Sequence, residues 1–507
     1  MKLGVDRREA HAASTDAAVS AVFERGEKEE ALPRVLVRED QATGKLLGQA
    51  WARREVKGKK GEITVLHRPD GKGRVVLFGV GPKPTFDAEG ARRAAATAIR
   101  ALKGRGARSV GFRLSTFVTE RVPSDIAIRA IADGASLGAY EFLKYKTTHE
   151  GAVEEVTLYL GDEHGREESA LKKALDQQVE LLEAVLWTRD VANLPADTAT
   201  PDWLAEEAKR LGKEYGLKVT VFDEKKLEEM HCGGILGVGS GSAHPPRLIV
   251  LEYSGGARSG KTVAVVGKGI TFDSGGISLK PALRMGDMKF DKSGACAVLG
   301  ILRAAAALKV PPRVIGVMAC AENMPGGGAY RPGDVVRTYN GKTIEITNTD
   351  AEGRVVLSDA LGYVVEKYRP DEVIDLATLT GACVVALGDD MAGMVSTDDK
   401  LAQGLLDASA ATGEPLWRMP LTDYHRELVK SDVAEIRNST EIPPAGVLTA
   451  AAFLEHFVGK TPWAHLDIAG PASTNPSTRK FQPPYQNIGA TAFGVRLVTR
   501  YLQDGSR

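Results

Sequence analysis

The fold class follows from one stretch of the chain, Val266-Gly267-Lys268-Gly269-Ile270-Thr271-Phe272-Asp273-Ser274-Gly275-Gly276-Ile277-Ser278-Leu279-Lys280-Pro281. The apolar, β-branched residues at 262–266 lead into it and predict a buried strand. The glycines that follow predict irregular backbone, and this backbone carries Lys268, Asp273 and Lys280. Because α/β folds place active sites in loops at strand ends, the stretch predicts an α/β protein with its functional site at the end of a central strand.

Strand-like runs on both sides of this stretch extend the same pattern. They lie at 218–222, 247–252, 314–319 and 373–376. Segments long enough to be helices separate them, including 295–308. This alternation predicts a large C-terminal domain with a mixed, mostly parallel sheet that is flanked by helices.

The N-terminal part of the chain has a weaker version of the same alternation. Its helical pattern is clearest at 89–102, and its strand-like runs lie at 34–37, 63–66, 75–78 and 156–159. Apolar residues recur at helical spacing over 166–192, a segment that ends before Asn193-Leu194-Pro195. We therefore expect a small N-terminal α/β domain over 1–165, a linking helix over 166–192 and a larger domain over 193–507.

Composition and charge exclude several functional classes. The 507 residues include 66 Lys plus Arg and 66 Asp plus Glu, so the balance gives no overall attraction to nucleic acid or to anionic membranes. The charged start at 1–9 lacks the apolar core of a signal peptide, and no apolar run reaches membrane-spanning length. We therefore expect a cytoplasmic protein without a membrane partner. Four cysteines without a CxxC pair predict buried thiols, at Cys232, Cys296, Cys320 and Cys383.

One motif points to a different function, namely nucleotide hydrolysis. The segment 255–262 reads Gly-Gly-Ala-Arg-Ser-Gly-Lys-Thr and matches the phosphate-loop pattern GxxxxGK[ST]. That loop holds phosphates only when a helix begins at the Lys-Thr pair. Here Thr262 opens a β-branched run, so a tight connection between two strands is favoured over a nucleoside triphosphatase.

Acidic residues recur in two further segments of the large domain. Asp291 precedes a helix of small residues, and Asp350, Glu352 and Arg354 stand at alternate positions that share one face if the backbone is extended. With Asp273 they give four carboxylates and no nearby cysteine or histidine, an oxygen-rich set suited to two divalent cations. The alternative is that Asp291 caps its helix and that Asp350 or Glu352 pairs with Arg354 on the surface.

The heptamer Asn-Thr-Asp-Ala-Glu-Gly-Arg at 348–354 resembles the signature of the leucyl aminopeptidase (cytosol aminopeptidase) family. The resemblance continues in other segments and spans about 190–500 of the chain. These segments are 239–242 with 245–248, 266–281, Met-Lys-Phe-Asp at 288–291, 377–382 and 463–470. It is much weaker before residue 160, and the chain departs from the family pattern at Lys292-Ser293, where small or apolar residues are usual.

The resemblance implies a dinuclear peptidase domain over 193–507 that releases leucine-like residues from the amino ends of peptides. It implies metal ligation by Lys268, Asp273, Asp291, Asp350 and Glu352, with Asp273 and Glu352 bridging two divalent ions, for which manganese and zinc are the expected metals. It further implies two catalytic side chains, Lys280 and Arg354, of which Arg354 would hold a bicarbonate. The side-chain pocket would be lined by Met288, Thr378 and Gly381.

The resemblance also implies partners and one alternative role. The expected partners are peptides with a free amino end, and the expected assembly is a homohexamer active in cytoplasmic peptide turnover. Some relatives of this family double as architectural DNA-binding proteins, which is the alternative from another functional class. The neutral charge of the chain makes a nucleic-acid partner the weaker expectation.

Overall fold

The computed structural model describes residues 1–8, 15–26, 31–69, 71, 73–148, 151–256, 260–440 and 445–504. The chain forms two compact units. Unit 1 comprises Met1–Glu183 and Phe481–Asn487, and unit 2 comprises Ala184–Lys480 and Ile488–Arg507.

Unit 1 is built on a sheet with six strands among the described residues. In chain order the strands are β1 (Lys2–Asp6), β2 (Ala17–Phe23), β3 (Ile63–His67), β4 (Arg74–Gly81), β5 (Ser109–Arg113) and β6 (Glu155–Tyr159). Their order in the sheet is β1-β6-β5-β2-β4-β3, and only the edge pair β3–β4 among these pairings is antiparallel. The strand predicted at 34–37 is wrong, because a 3₁₀ turn follows Pro33 and leads directly into a helix.

Helices alternate with these strands along the chain and also follow the last of them. They are α1 (Val37–Ala42), α2 (Leu46–Ala52), α3 (Ala88–Lys103), α4 (Ser124–Ala139), α5 (Gly161–His164) and α6 (Glu168–Asn193). Helices α3 and α4 pack side by side, and small residues such as Ala95, Ala96 and Gly134 permit the close approach. No described helix in either unit is long and apolar enough to cross a membrane.

Unit 2 contains the large sheet that the sequence predicts. Its strands are β7 (Lys218–Phe222), β8 (Arg247–Tyr253), β9 (Thr262–Asp273), β10 (Arg313–Asn323), β13 (Glu372–Ala377), β14 (Ala392–Ser396), β15 (Leu416–Arg418) and β17 (Trp463–Asp467). Short strands outside it are β11 (Val335–Arg337), β12 (Thr343–Glu345), β16 (Ile436–Arg437), β18 (Ser473–Thr474) and β19 (Gly489–Ala490). The large sheet has the order β15-β14-β17-β13-β9-β10-β8-β7. Its four central strands are parallel, which confirms the predicted mixed, mostly parallel sheet.

Two groups of helices pack on this sheet. The helices of unit 2 are α7 (Pro201–Tyr215), α8 (Glu224–Glu229), α9 (Gly233–Gly239), α10 (Ser293–Leu308), α11 (Glu352–Tyr368), α12 (Gly381–Leu387), α13 (Asp399–Thr412), α14 (Asp423–Leu428), α15 (Gly446–Val458) and α16 (Val495–Asp504). Helix α10 packs with α7 and α16, whereas α11 packs with α9 and α15. Because β9 and β10 are covered in this way, their apolar residues are buried almost without interruption.

The phosphate-loop match does not form the structure that phosphate binding needs. Strand β9, and not a helix, begins at Thr262, and residues 257–259 of the motif lie outside the described part of the chain. The Lys261 ammonium lies 2.8 Å from a carboxylate oxygen of Glu372. The four cysteines are buried and unpaired, as predicted.

The parallel strands of unit 2 bring a set of polar residues to one edge of the sheet. Strands β9, β10 and β17 end at Asp273, Asn323 and Asp467, and β13 ends at Ala377, directly before Thr378. In the strand register Asn323 lies opposite Asp273, and Ala377 lies opposite Asp467. The edge formed by these carboxyl ends is therefore the place where a site is expected.

Candidate metal centre

Lys268 lies within β9, which continues to Asp273, so the irregular backbone predicted at these two residues is wrong. Lys268 holds its ammonium in a fully enclosed group of oxygens. Its Nζ atom is 2.7 Å from Glu352 Oε1 and 2.9 Å from Asp291 Oδ2, and it donates a hydrogen bond of 2.9 Å to the carbonyl of Thr378. The residue is only 2% exposed. Burial alone would lower the pKa of Lys268, but the carboxylates of Asp291, Glu352 and Asp273 raise it above its usual value.

Lys280 contributes a second ammonium from the loop that follows β9. Its Nζ atom lies 2.8 Å from Asp273 Oδ2 and also contacts Asp350. The loop is fixed by a hydrogen bond of 2.9 Å from the Lys280 amide to the Ser274 carbonyl. The Lys280 side chain is 20% exposed, so this ammonium reaches the solvent side of the cluster.

Three carboxylates converge between these two lysines. One oxygen from each of Asp273, Asp350 and Glu352 lies within 4.8 Å of the others. Asp291 joins them through Lys268, so four carboxylates meet two ammonium groups, and full ionisation would leave two negative charges uncompensated. An uncompensated anionic cluster of this kind is costly to bury.

The donor chemistry of the cluster fits divalent cations. The oxygens Asp291 Oδ2, Asp350 Oδ1 and Glu352 Oε1 are buried and form no hydrogen bond of normal geometry, although lysine ammonium groups lie beside them. Carboxylate oxygens with such free lone pairs are the ligands that Mn²⁺ and similar ions take. The cluster is therefore suited to binding divalent metal.

The backbone at 350–354 differs from the extended conformation that the sequence analysis assumed. Helix α11 begins at Glu352, so Arg354 lies in its first turn, and Asp350 belongs to the turn before it. Asp350 and Glu352 converge at the amino end of this helix, where negative charge is favoured, and not on one face of a strand. The prediction that residues 350, 352 and 354 share one face of an extended segment is therefore wrong.

The alternative reading of these residues as caps and surface pairs is also wrong. The N-cap of α10 is Lys292, and the Asp291 carboxylate instead contacts Lys268 and accepts a hydrogen bond of 2.7 Å from the Thr378 hydroxyl. Asp350 and Glu352 pair with lysines and not with Arg354. The assembled set therefore forms one cluster, in which Asp273, Asp291 and Glu352 are buried and Asp350 is partly exposed.

Arg354 is a buried cation next to this cluster. It is 8% exposed, and its Nε atom has no hydrogen-bond partner among the described residues. Burial lowers the pKa of Arg354 to about 10, against the opposing influence of Glu352 and Asp467. A buried guanidinium with a donor to spare is suited to holding an anion.

The three predicted pocket residues lie at the rim of the same edge. Met288 belongs to the 3₁₀ turn Met285–Phe290, and Gly381 begins α12 with open space where a side chain would project. Thr378 directs its hydroxyl at Asp291, so this hydroxyl supports the carboxylate cluster.

Three supporting residues were missed by the sequence analysis. Asn323 is fully buried and donates hydrogen bonds of 2.8 Å to Asp273 Oδ1 and 3.0 Å to the Thr349 carbonyl. Tyr330 donates to the same carbonyl at 3.0 Å. Asp467 accepts a hydrogen bond of 2.6 Å from the Thr380 hydroxyl and so fixes the loop after β13. Asn323 and Asp467 have only one signal in the sequence, a polar residue at a strand end, which many surface positions share. Tyr330 lies in the loop between β10 and β11, and the sequence gives no signal for it.

Gly353 permits the close approach of α11 to Lys268. A Cβ atom at this position would lie 2.5–2.7 Å from the Cε, Nζ and Cδ atoms of Lys268. Lys268 cannot move aside without losing its contacts to Glu352 and Asp291. The site therefore requires a glycine at this point of the helix.

We expect the Gly353→Ala variant to lose at least about tenfold in Mn²⁺ affinity, the range typical of groups that orient metal ligands. Gly362→Ala on the same helix is the matched control, because its new Cβ would meet Asn340 at an ordinary 3.5 Å. Calorimetric titration of both variants with Mn²⁺ measures the effect. Equal behaviour of the two variants would contradict the proposed contact.

The metal-free cluster should bind Mn²⁺ in a strongly pH-dependent way. Burial and the neighbouring Asp273 carboxylate raise the pKa of Glu352 above its usual value. Glu352 therefore keeps its proton at a pH where an ordinary glutamate has lost it, and a cation must displace that proton. Apparent Mn²⁺ affinity should rise about tenfold per pH unit between about pH 6 and pH 8 for each proton released. Titration calorimetry in two buffers of different ionisation enthalpy counts those protons. A flat affinity over this range would contradict the raised pKa.

Comparisons with known proteins agree with this geometry. A family model described as the catalytic domain of the cytosol aminopeptidase family matches residues 186–499, and one for the N-terminal domain of the same family matches 19–149. A probable cytosol aminopeptidase of Geobacter sulfurreducens is 44% identical over 475 residues, which is 92% of this chain and 93% of that protein. Another, of Cenarchaeum symbiosum, is 43% identical over 447 residues, or 88% of this chain and 89% of that protein.

Two solved structures share the whole architecture. The bottromycin maturation enzyme BotP in complex with Mn has a TM-score of 0.84 and 36% identity, and the match covers 97% of this chain and 100% of that one. A mutant of tomato leucine aminopeptidase has a TM-score of 0.87 and 31% identity, with 99% and 96% covered.

The fold and the cluster together define a metal-dependent hydrolase. The chain belongs to the cytosol aminopeptidase family. It is a metal-dependent aminopeptidase, which releases amino acids from the amino ends of peptides.

Proposed function

We propose that two divalent cations bind between Lys268 and the four carboxylates, and that this centre prefers leucine-like amino-terminal residues. Lys268, Asp291 and Glu352 would serve one ion, and Asp273, Asp350 and Glu352 the other, with Asp273 also bridging. The observation that carries this proposal is the convergence of Asp273, Asp350 and Glu352 oxygens within 4.8 Å. Lys268 can ligate a metal only as the neutral amine, so binding at this position would release its proton.

When bound, the two ions supply polarisation of the scissile carbonyl and activation of the attacking water. Lys280 then acts from the open side of the cluster. Its ammonium, which is 2.8 Å from Asp273 and partly exposed, stabilises the negative charge that develops on the carbonyl oxygen. The Lys268 ammonium is too deeply buried to contact the carbonyl oxygen of a substrate.

Arg354 holds an anion beside the attacked carbonyl. Its Nε donor without a partner supports the proposal that this anion is a bicarbonate, which accepts a proton from the attacking water and passes it to the leaving amine. The guanidinium stays charged at neutral pH, because its pKa is lowered only to about 10.

The specificity follows from the rim of the site. Met288 supplies an apolar wall, the backbone around Thr378 supplies the base, and Gly381 leaves space for a branched side chain. The acidic cluster would attract the free α-amino group of a peptide, which an internal residue does not offer. These features support exopeptidase action on leucine-like residues.

The proposal also covers the physiological metal, the cellular location, the assembly and the domain bounds of the enzyme. Manganese is favoured as the physiological ion, with zinc as the alternative, since a Mn-bound enzyme has the same architecture. We place the activity in the cytoplasm, as the relatives' name of cytosol aminopeptidase suggests. As the resemblance at 348–354 implies, we also assign the protein to peptide turnover as a homohexamer. Residues 193–507 would form the catalytic domain, 166–192 the linking helix and 1–165 a separate domain.

The specificity is tested by comparing kcat/KM for leucine, alanine and glutamate p-nitroanilides and for N-acetyl-leucine p-nitroanilide. We expect leucine to be cleaved fastest and the acetylated substrate not at all. A Gly381→Val variant should raise KM for leucine more than for alanine, because the added methyl groups fill the pocket. Cleavage of the acetylated substrate, or the same KM change for both residues, would contradict the proposal.

A further inference from the structure

Lys292 has a fully buried side chain that the reaction described above does not use. Its exposure is 0%. Its Nζ atom donates hydrogen bonds of 2.8 Å to the carbonyl of Leu194 and 2.5 Å to the carbonyl of Lys289. Burying an ammonium group is unfavourable unless such partners compensate it, so the placement of this side chain requires a structural reason.

The two carbonyls belong to the carboxyl ends of two helical segments. Leu194 directly follows α6, which ends at Asn193, and Lys289 lies in the last turn of the 3₁₀ segment Met285–Phe290. Carbonyls at such ends lack helical partners and carry partial negative charge. The Lys292 ammonium therefore gives both carbonyls a hydrogen-bond donor, and it lies where a bound cation would be favoured.

The same hydrogen bonds explain why a lysine is tolerated at the amino end of α10. Lys292 is the N-cap of α10, where the positive end of the helix disfavours a cation. Its side chain turns away from that end and toward the carbonyls of Leu194 and Lys289. The favourable interactions of this ammonium thus lie outside its own helix.

The 3₁₀ segment that Lys292 holds leads into the carboxylate cluster. Asp291 is its next residue, and the Asp291 amide donates a hydrogen bond of 3.2 Å to the Met288 carbonyl. The Asp291 carboxylate then contacts Lys268 and Thr378. A shift of the Lys289 carbonyl would therefore move a carboxylate of the metal centre.

We propose that Lys292 is a positioning residue whose ammonium acts as a built-in cation, tying the turn before Asp291 to the end of α6 and so orienting the Asp291 carboxylate toward its metal. The inference rests on the proposed role of Asp291 as a metal ligand. It assigns no contact with substrate to Lys292. What the site requires at this point is a positive donor, and bulk alone does not replace it.

The test is calorimetric Mn²⁺ binding to metal-free protein, with ammonium chloride or tetramethylammonium chloride at equal ionic strength. Lys292→Ala should weaken one of the two Mn²⁺ sites about 10–100-fold, the usual effect of lost outer-shell support. Ammonium, which fits the vacated space and donates to both carbonyls, should recover most of the loss, whereas tetramethylammonium should not. Lys292→Met should be weakened in the same way without recovery, because its side chain fills that space.

Ser293→Ala is the matched control, since its hydroxyl donates to the Phe290 carbonyl of the same turn at 2.5 Å but carries no charge. The Mn²⁺ affinity of Ser293→Ala should be the same in ammonium chloride as in tetramethylammonium chloride. Wild-type Mn²⁺ affinity in Lys292→Met would overturn the inference even if Lys292→Ala did not fold. Equal recovery of Lys292→Ala in both salts would overturn it as well. Failure of the wild-type protein to bind two Mn²⁺ ions would instead contradict the proposed metal centre.

Discussion

Replacement of Lys280 by alanine is expected to lower kcat about a hundredfold or more, with no loss of bound metal. Of the two lysines in the cluster, Lys280 is 20% exposed and Lys268 only 3% by side chain, so only Lys280 can meet the substrate. Donors that stabilise a developing oxyanion contribute on the order of 3 kcal/mol, which corresponds to about a hundredfold in rate.

Metal binding distinguishes this effect from a damaged site. Without cations the Lys280 ammonium neutralises Asp273 and Asp350, so its removal should leave Mn²⁺ affinity equal or higher. Lys218→Ala, which removes an exposed lysine that pairs with Glu252 at 2.8 Å, is the control and should retain full activity. A kcat within twofold of wild type in Lys280→Ala would remove Lys280 from the mechanism.

Replacement of Asp273 by asparagine is expected to have a larger effect. Asp273 lies at the centre of the cluster, where its carboxylate contacts Lys280, accepts a hydrogen bond from Asn323 and raises the pKa of Glu352. An amide has nearly the same shape but no charge, and as a neutral group it cannot bridge two cations. The protein should bind at most one Mn²⁺, and kcat should fall about a thousandfold, as expected from a loss of about 4 kcal/mol of transition-state stabilisation.

Asp287→Asn is the matched control for this variant. Asp287 is a partly exposed carboxylate in the segment that leads to the same site, and it pairs with Arg284 at 2.9 Å. Its amide variant should bind two Mn²⁺ ions and keep near wild-type kcat. Two Mn²⁺ ions bound to Asp273→Asn with unchanged kcat would exclude Asp273 as a bridging ligand.

The central strands could be predicted from the sequence because burial on both faces leaves a continuous apolar run. The runs at 262–266 and 314–319 are of this kind, and they form β9 and β10. Strand ends indicate where polar residues gather, and Asp273 and Lys280 lie at and after the end of β9 as expected. Lys268 lies within the strand, and the pattern did not predict this. Asp291, Asp350 and Glu352 were grouped with Asp273 because of their oxygen-rich chemistry and the resemblance at 348–354, and not because of strand ends.

The start of α11 could not be predicted in this way. Asp350-Ala-Glu-Gly-Arg354 alternates in polarity, and Gly353 is a poor helix former, so the local sequence does not favour a helix. The helix begins at Glu352 because the amino end of α11 packs against Lys268, which is a tertiary effect. The segment 34–37 was also predicted wrongly, because its β-branched Val35 and Val37 favoured a strand where the structure has a 3₁₀ turn that leads into α1.

The supporting residues escaped prediction for a related reason. Asn323 and Asp467 are each the last residue of a mostly apolar strand, a position that solvent-exposed polar residues also occupy. Their importance lies in the register that sets Asn323 opposite Asp273 and Ala377 opposite Asp467. Strand pairing over such distances along the chain cannot be inferred from local pattern.

The most direct test of the two-metal account is hydrolysis of leucine p-nitroanilide by protein that is stripped with a chelator and then titrated with Mn²⁺, with bound metal measured in parallel. The account predicts that activity disappears with the metal and returns in full only as the second Mn²⁺ ion binds each chain. Activity that persists in metal-free protein, or that is complete with one ion bound, would contradict it.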